Sequence, residues 1–491
     1  MTKMYIGGTW VEAQEEASRG IINPFDGQEF ARVAEGSRKD AQAAIQSARS
    51  AFDAGPWRAT TGQDRANLLC LLADKVVSHR EELAELETRD TGKTLEESRW
   101  DMDDVAAVFR YYAELVRDQS PEALDAPNDN ATSVLVREAV GVCALILPWN
   151  YPLLQASWKL APALAAGCTV IMKPSELTPM STLRLTELAH EVGFPPGVIN
   201  TVLGAGNDVG AELAESHQVD LVSFTGGSHT GRAIMRAAAG NLKRVALELG
   251  GKNPHIVFAD ADLETALDYA LNAVFFHAGQ ICSAGARLLV EDAVCDRFSA
   301  DLAERMRAIK LGNGAQQGTQ MGPLISKAQR IKVAHHVEAA QKEGAILAVG
   351  GSPPNDPALQ HGFFYLPTLL TGCTGDMQIV REEVFGPVIS VERFSTEDEA
   401  VERANDTVYG FSAGFWTQDS ERIERVSRAL RFGTVWVNDF NVYFPQAPWG
   451  GYKQSGIGRE LGPQGLDEYT ELKHIYRNNA PRPLGWFGHS E

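Results

Sequence analysis

Residues 141–176 read GVCALILPWNYPLLQASWKLAPALAAGCTVIMKPSE. The stretch carries two short apolar runs, Val142–Leu147 and Thr169–Met172, each closed by a proline soon after its end. Brief continuous apolar runs bounded by turn residues suit strands buried on both faces, as in parallel sheets. Similar runs follow at Ile199–Leu203, Leu221–Phe224 and Val245–Leu247. Between the second and third, Leu183, Leu185, Leu188 and Ala189 keep helical spacing within Ser181–Val192, and Gly193 supplies a stop. From Val134 to Phe258 strands therefore alternate with helices, which predicts a doubly wound α/β fold.

Upstream, Asp64–Leu115 is rich in Leu, Ala, Glu and Arg with helical periodicity and is expected to pack on the same domain. After Phe258 the pattern starts afresh. Asp262 stands in a capping position and Leu263, Leu267, Ala270, Leu271 and Val274 recur along one helix face, so a second α/β domain is expected to begin near Lys252. Ser120–Glu138 and the tail Glu468–Tyr476 read as strands outside both cores, able to pair with each other or with another subunit.

At 491 residues the chain is too long for one core. Its 44% hydrophobic and 22% charged content is that of ordinary globular protein. The start, MTKMYIGGTW, has no secretory pattern, and no uncharged apolar run approaches the roughly 20 residues that span a bilayer. A cytoplasmic protein without membrane partners is expected. A formal charge of −19 disfavours nucleic acid as a partner. Six scattered cysteines without a CxxC pair suggest free thiols, with no disulfide framework and no metal site.

One cysteine stands apart. The helix that opens at Asp262 runs into Phe275-Phe276-His277-Ala278-Gly279-Gln280-Ile281-Cys282-Ser283-Ala284-Gly285, where glycines break it and put Cys282 on a tight turn. A cysteine alone is commonly a small buried hydrophobe, so partners must carry the reading. In Glu248-Leu249-Gly250-Gly251-Lys252-Asn253-Pro254 a carboxylate ends a buried strand, where it serves as a general base or merely as an ion-pair or capping residue. Asn150 in PWNYP can offer an amide N–H to an oxyanion or form an Asx turn.

Two segments suit a dinucleotide. Phe224-Thr225-Gly226-Gly227-Ser228-His229-Thr230-Gly231 follows a strand and opens a helix, so backbone N–H groups and the helix dipole can hold a pyrophosphate. Lys173-Pro174-Ser175-Glu176 lies after the neighbouring strand, where Lys and carboxylate both reach ribose hydroxyls. Glu176 would repel a 2′-phosphate, which favours NAD over NADP.

Taken together, PWNYP (148–152), APALAAG (161–167), KPSE (173–176), FTGG (224–227), ELGGKNP (248–254), GQICSAG (279–285), EEVFGP (382–387) and GGYKQSG (450–456) resemble the aldehyde dehydrogenase superfamily, in family order over nearly the whole chain. The resemblance implies a Rossmann-type NAD domain from 1–119 and 140–251, a catalytic domain from 252–466, and an oligomerisation extension from 120–139 and 467–491 that makes a homodimer or tetramer. It implies Cys282 as nucleophile, Glu248 as general base, and Asn150 with the Cys282 backbone N–H as oxyanion hole. It assigns Trp149, Lys173, Ser175, Glu176, Gly206, Gly226, Gly227, Ser228, Gly231, Glu383 and Phe385 to the cofactor, which is NAD. Lys159 and Glu460 are expected to assist proton transfer or to form a structural ion pair. A free thiol titrates near ~8.5, so the site is expected to lower that value or to deprotonate Cys282 on binding.

Aromatic residues bear on the substrate. Tyr151, Trp158, Phe276 and Trp449 resemble the aromatic box of the betaine aldehyde group, in which ring faces attract a quaternary ammonium at roughly 0.5–2 kcal/mol per contact. The implied reaction is NAD-dependent oxidation of betaine aldehyde to glycine betaine. Phe276 stands where plant members of the group carry tryptophan, so that wall is expected to be weaker. The same aromatics would also suit an apolar tunnel, or the longer aminoaldehydes 4-aminobutyraldehyde and 4-trimethylaminobutyraldehyde. A non-catalytic structural relative and an acyl-CoA-forming enzyme are the alternatives of other classes; intact Cys282, Glu248 and Asn150 count against the first, and Glu248 against the second, whose members generally lack a glutamate there.

Overall fold

The computed structural model describes residues 2–484, 486 and 487; 485 and 488–491 of the expected tail lie outside the described residues. The predicted strands enter one eight-stranded sheet, ordered Gly456–Ile457, Arg244–Leu249, Leu221–Gly226, Val142–Ile146, Thr169–Lys173, Ile199–Thr201, Met4–Ile6, Thr9–Val11. The five strands from Arg244–Leu249 to Ile199–Thr201 are parallel, and the edge strands are antiparallel. Chain order reverses between Val142–Ile146 and Leu221–Gly226. Crossovers from these neighbours leave in opposite directions, which opens a crevice at their carboxyl ends.

The first crossover is the helix Pro152–Ala166, all of whose residues are buried. Pro152 at its first turn pre-sets the backbone, and Gly167, at φ 96°, ends it in the left-handed conformation. Helices Gly62–Ser78, Arg80–Thr91 and Leu95–Arg117 form the expected layer; they and Pro152–Ala166 contribute to one core through Leu72, Phe109, Tyr112, Leu160 and Leu164.

A second, seven-stranded sheet is ordered Ile346–Val349, Thr368–Thr371, Val388–Phe394, Arg287–Glu291, Pro254–Val257, Ser412–Trp416, Thr434–Val437, parallel except for the first strand. Thr470–Asn478 pairs antiparallel with Ala131–Ala139 along its full length, and Glu122–Leu124 adds a third strand. The N-terminal hairpin Ser18–Ile22/Glu29–Ala34 is separate from these sheets.

One short piece departs from the expected division. Gly456–Ile457, within the 252–466 segment, closes the edge of the first sheet, opposite Leu247 and Glu248. The strand is too short for periodicity to reveal, and it requires glycine: at φ 148° a Cβ on residue 456 would lie 2.0 Å from the Leu247 carbonyl oxygen. The return of this segment brings the 446–460 stretch to Glu248.

Candidate active site

The crevice is a cleft of about 960 Å³. It is lined by Trp149, Asn150, Lys173, Ser175, Glu176, Gly206, Gly226, Gly227, Glu248, Cys282, Glu383 and Phe385, which gathers most of the residues expected from sequence into one concavity. Ser228 and Gly231 are outside this lining. Ser228 begins the helix Ser228–Ala238, whose N-cap is Gly227. A Cβ on Gly231 would meet Leu249 at 2.8 Å, so this glycine serves helix-to-strand packing.

Cys282 owes its position to a reversal of the chain. The helix Leu263–Phe275 ends, and His277, Ala278 and Gly279 follow with φ 45°, 52° and 73°. Two non-glycine residues in the left-handed region carry a local conformational cost that the surroundings must hold in place. At residue 279 a Cβ would lie 2.2 Å from the Gly386 carbonyl oxygen, so only glycine fits. The Asn253 amide secures the turn from below by donating to Cys282 O at 2.8 Å and to Ala284 O at 3.1 Å. Gln280 accepts from Asn150 Nδ2 at 2.8 Å through its carbonyl, fixing the Asn150 amide beside the thiol turn. An amide nitrogen carries two N–H groups, so one stays available.

The Cys282 thiol donates to Glu248 Oε1 over 3.4 Å. Burial pushes the thiol well up from its ordinary range, and the Glu248 carboxylate adds to the effect. The expectation that the site lowers the thiol does not hold in this arrangement: a carboxylate faces the sulfur, where a cation would be needed. Deprotonation on binding, the other half of that expectation, has a ready acceptor in Glu248.

Glu248 ends the strand Arg244–Leu249, opposite Thr225 on one side and Gly456 on the other. Its Oε1 also accepts from Trp449 Nε1 at 3.2 Å, and its Oε2 lies 3.1 Å from Thr225 Oγ1. Thr225 Oγ1 accepts from Lys159 Nζ at 2.7 Å, and Lys159 pairs with Glu460. Gln155, one turn before Lys159, accepts from it at 3.3 Å and lies 2.9 Å from Thr225 Oγ1. Burial and Glu248 raise the Glu460 carboxyl well above its usual range, against the pull of Lys159. A continuous hydrogen-bonded line thus runs from Glu248 through Thr225 and Lys159 to Glu460. Thr225 and Gln155 were not singled out from sequence, although a Gln and a Lys four apart on a fully apolar helix were the available signal.

At the other end of the cleft Lys173 Nζ contacts Pro174 O at 3.1 Å and Glu176 Oε2 at 3.5 Å. Burial lowers the lysine from its ordinary range. Gly206 and Gly227 have open space where a Cβ would stand, so backbone can approach a bound molecule there. On the far wall Glu383 Oε1 accepts from Gly251 N at 3.2 Å, and burial pushes its carboxyl up to about 7. A Cβ on Gly250 would strike that carboxylate at 2.1 Å, which explains the second glycine pair. Phe385, at φ 59°, meets Trp149 edge-on at 5.1 Å and is held by Gln329 Nε2 donating to its carbonyl at 2.7 Å. Gln329, Lys332 and Arg19 also line the cleft and were missed from sequence.

The four aromatics expected at the substrate, Tyr151, Trp158, Phe276 and Trp449, are outside the cleft lining. Trp158 and Trp449 meet at 5.8 Å, and Tyr443 contacts them at 5.3 and 5.9 Å. Tyr443, which donates to Asp104 Oδ2 at 2.7 Å, is an aromatic that sequence reasoning missed. Tyr151 packs on His277 at 5.7 Å, and on its ring Lys93 Nζ lies 4.0 Å from the centroid. Lys93 is paired with Asp101 at 2.6 Å, whose carboxyl burial raises to about 7. Phe276 is half-buried and meets the exposed Trp100 at 6.0 Å. Among the described residues no group of His, Cys, Asp or Glu could hold a metal ion, and no helix is long and apolar enough to cross a membrane.

Comparison with known proteins agrees with this geometry. The chain is 58% identical over 484 residues to the betaine aldehyde dehydrogenase of Bacillus subtilis, covering 99% of each. It is 44% identical over 493 residues to a peroxisomal aminoaldehyde dehydrogenase of Pisum sativum, covering 99% of this chain and 97% of that one. A crystal structure of betaine aldehyde dehydrogenase from Staphylococcus aureus in complex with NAD+ superposes with a TM-score of 0.98 at 52% identity, covering 99% of this chain and 97% of that one. The aldehyde dehydrogenase family model matches residues 10–475. With the sheet reversal, the cysteine turn and the facing carboxylate in one cleft, the chain belongs to the aldehyde dehydrogenase family.

Proposed function

We propose that this protein oxidises betaine aldehyde to glycine betaine, with NAD as hydride acceptor. The contact of Cys282 with Glu248 at 3.4 Å carries the reading, because it joins a nucleophile to a base at the head of a dinucleotide-sized cleft. The named relatives support the substrate, and the cluster of Trp158, Tyr443 and Trp449, whose Trp449 indole shares Glu248 Oε1 with the thiol, suits a cation that cannot donate hydrogen bonds.

The cleft fits NAD by its own chemistry. Backbone open at Gly206 and Gly227 suits a pyrophosphate, Lys173 and Glu176 suit ribose hydroxyls, and Glu383 with Phe385 suits the nicotinamide end. Bound there, NAD supplies a two-electron acceptor for hydride. The Cys282 thiol gives its proton to Glu248 and attacks the aldehyde carbon; Asn150 and the Cys282 backbone N–H hold the oxyanion of the thiohemiacetal. Loss of hydride leaves a thioester on Cys282. Once the thiol's proton has been passed on, Glu248 is again a carboxylate and takes a proton from water; the water oxygen attacks the acyl carbon and the carbon–sulfur bond breaks, giving the carboxylate and the Cys282 thiol. Thr225, Lys159 and Glu460 offer that proton a route away from Glu248, and a carboxyl raised by burial is suited to receive it.

The reading places the enzyme in the cytoplasm, where six free thiols persist, as a homo-oligomer through Ala131–Ala139 and Thr470–Asn478. In this reading 1–119 and 140–251 hold NAD and 252–466 supplies Cys282, with Gly456–Ile457 crossing over to the first sheet. The test is a substrate comparison read as NADH absorbance. Betaine aldehyde should exceed its neutral isostere 3,3-dimethylbutanal and 4-aminobutyraldehyde in kcat/KM. A higher value for 4-aminobutyraldehyde would move the assignment to aminoaldehydes, and no turnover of any aldehyde would leave only the fold.

A further inference from the structure

Arg19 and Glu35 form an ion pair that the reaction does not use. Arg19 Nη2 donates to Glu35 Oε1 at 2.6 Å and Arg19 Nε donates to Glu35 Oε2, a two-pronged contact. Both residues belong to the N-terminal hairpin, Arg19 in the strand Ser18–Ile22 and Glu35 just past Glu29–Ala34. The hairpin does not need the pair to close: its ladder runs from Ser18–Ala34 to Ile22–Glu29, and Glu35 N donates to Ala17 O at 2.9 Å. A partly exposed pair of this kind, with side chains 36% and 21% exposed, also contributes modestly to stability. Its place is more telling. Arg19 lines the same cleft as Lys173, Ser175 and Glu176, and a small recess beside it is bounded by Arg19, Glu35, Pro174, Ser175 and Glu176.

This is the end of the cleft that suits the adenosine ribose. Lys173 and Arg19 bring two positive charges there, and Glu176 and Glu35 two negative ones. NADP differs from NAD by a phosphate on the ribose 2′-oxygen. A carboxylate at that place repels the phosphate, whereas a guanidinium matches two of its oxygens at once. Glu35 now fills that fork.

We propose that Arg19 is a specificity-determining residue at the adenosine-ribose end: it gives the cleft a latent site for a 2′-phosphate, which Glu35 holds in check. The proposal rests on the cofactor reading above and adds to it. Arg19 discriminates between the two dinucleotides without touching the reacting atoms, so its effect belongs to cofactor affinity and not to the chemical steps.

The experiment uses the whole protein and calorimetric titration with two fragments, ADP and adenosine 2′,5′-bisphosphate. In protein already carrying Glu35→Gln, adding Arg19→Gln should weaken the 2′,5′-bisphosphate about tenfold, the scale of one charge-assisted contact, and leave ADP within about twofold. Arg19→Lys should recover part of the loss, because it keeps the charge without the fork. Glu35→Gln should tighten the 2′,5′-bisphosphate and raise kcat/KM with NADP relative to NAD. Unchanged 2′,5′-bisphosphate affinity on adding Arg19→Gln to Glu35→Gln, or equal losses for both fragments, overturns the role of Arg19 while leaving NAD in place. Wild-type protein that binds neither ADP nor NAD overturns the cofactor reading and this proposal with it.

Discussion

The indole N–H of Trp449 donates to Glu248 Oε1 at 3.2 Å, the same oxygen that the Cys282 thiol faces. Backbone bonds hold Trp449 against Glu460, with its N donating to Glu460 O at 2.6 Å and Glu460 N to its O at 2.7 Å. One residue thereby fixes the aromatic wall, the carboxylate and the buried ion pair relative to one another. Trp449→Phe keeps a ring and removes the donor; kcat should fall about tenfold for neutral and cationic aldehydes alike, the loss of one hydrogen bond to a charged group. Trp449→Ala should instead raise KM for betaine aldehyde far more than for 3,3-dimethylbutanal. Equal KM changes in the alanine variant would remove the ring from cation binding.

Glu248→Gln should still release about one equivalent of NADH per site, in a burst slowed because the thiol has lost its proton acceptor, and then stall because thioester hydrolysis lacks its base. Rapid-mixing absorbance separates burst from steady state. Steady turnover equal to wild type would take the base role away from Glu248.

The raised Cys282 thiol has a direct pH signature. In ligand-free protein the folded state holds this thiol neutral at pH 7, so alkylation by iodoacetamide should be slow and should rise only above the range of an ordinary thiol. Glu248→Gln removes a facing negative charge and should move the profile to lower pH. Mass spectrometry of the peptide carrying Cys282 reads the rate, and a wild-type profile on the acid side of a free cysteine would contradict the electrostatics described here.

Lys159→Met strands the Glu460 carboxylate in a fully buried position. Chemical denaturation should show a loss of about 3–5 kcal/mol, the scale for breaking one partner of a buried pair. Adding Glu460→Gln should recover most of it, since a neutral amide needs no counter-charge. A single variant as stable as wild type would show that the two groups are already neutral in the folded protein.

The alternating strands from Val142 to Leu249 were legible because parallel strands buried on both faces read as uninterrupted apolar runs. Cys282, Glu248 and Asn150 were legible because each stands at or just past the end of a strand or helix beside residues that turn the chain, glycines for the first two and prolines for Asn150. Thr225, Gln155, Tyr443 and Arg19 were not. Each has its meaning only through a partner far along the chain, Tyr443 with Asp104 and Arg19 with the recess beside Glu176, and no local spacing records such meetings. The packing reason for Gly231 was not legible either, because it lies in the contact of its helix with Leu249, which no local spacing records.

The pairing of Ala131–Ala139 with Thr470–Asn478 joins residues as far apart as Ser133 and His474, 341 positions along the chain. At ribosomal rates of about 5–20 residues per second, the earlier strand waits roughly 20–70 s for its mate. Throughout that interval a nascent edge with unmet backbone groups is open to chaperones and to neighbouring nascent chains, so the length of this exposure is set by how fast the intervening codons are read.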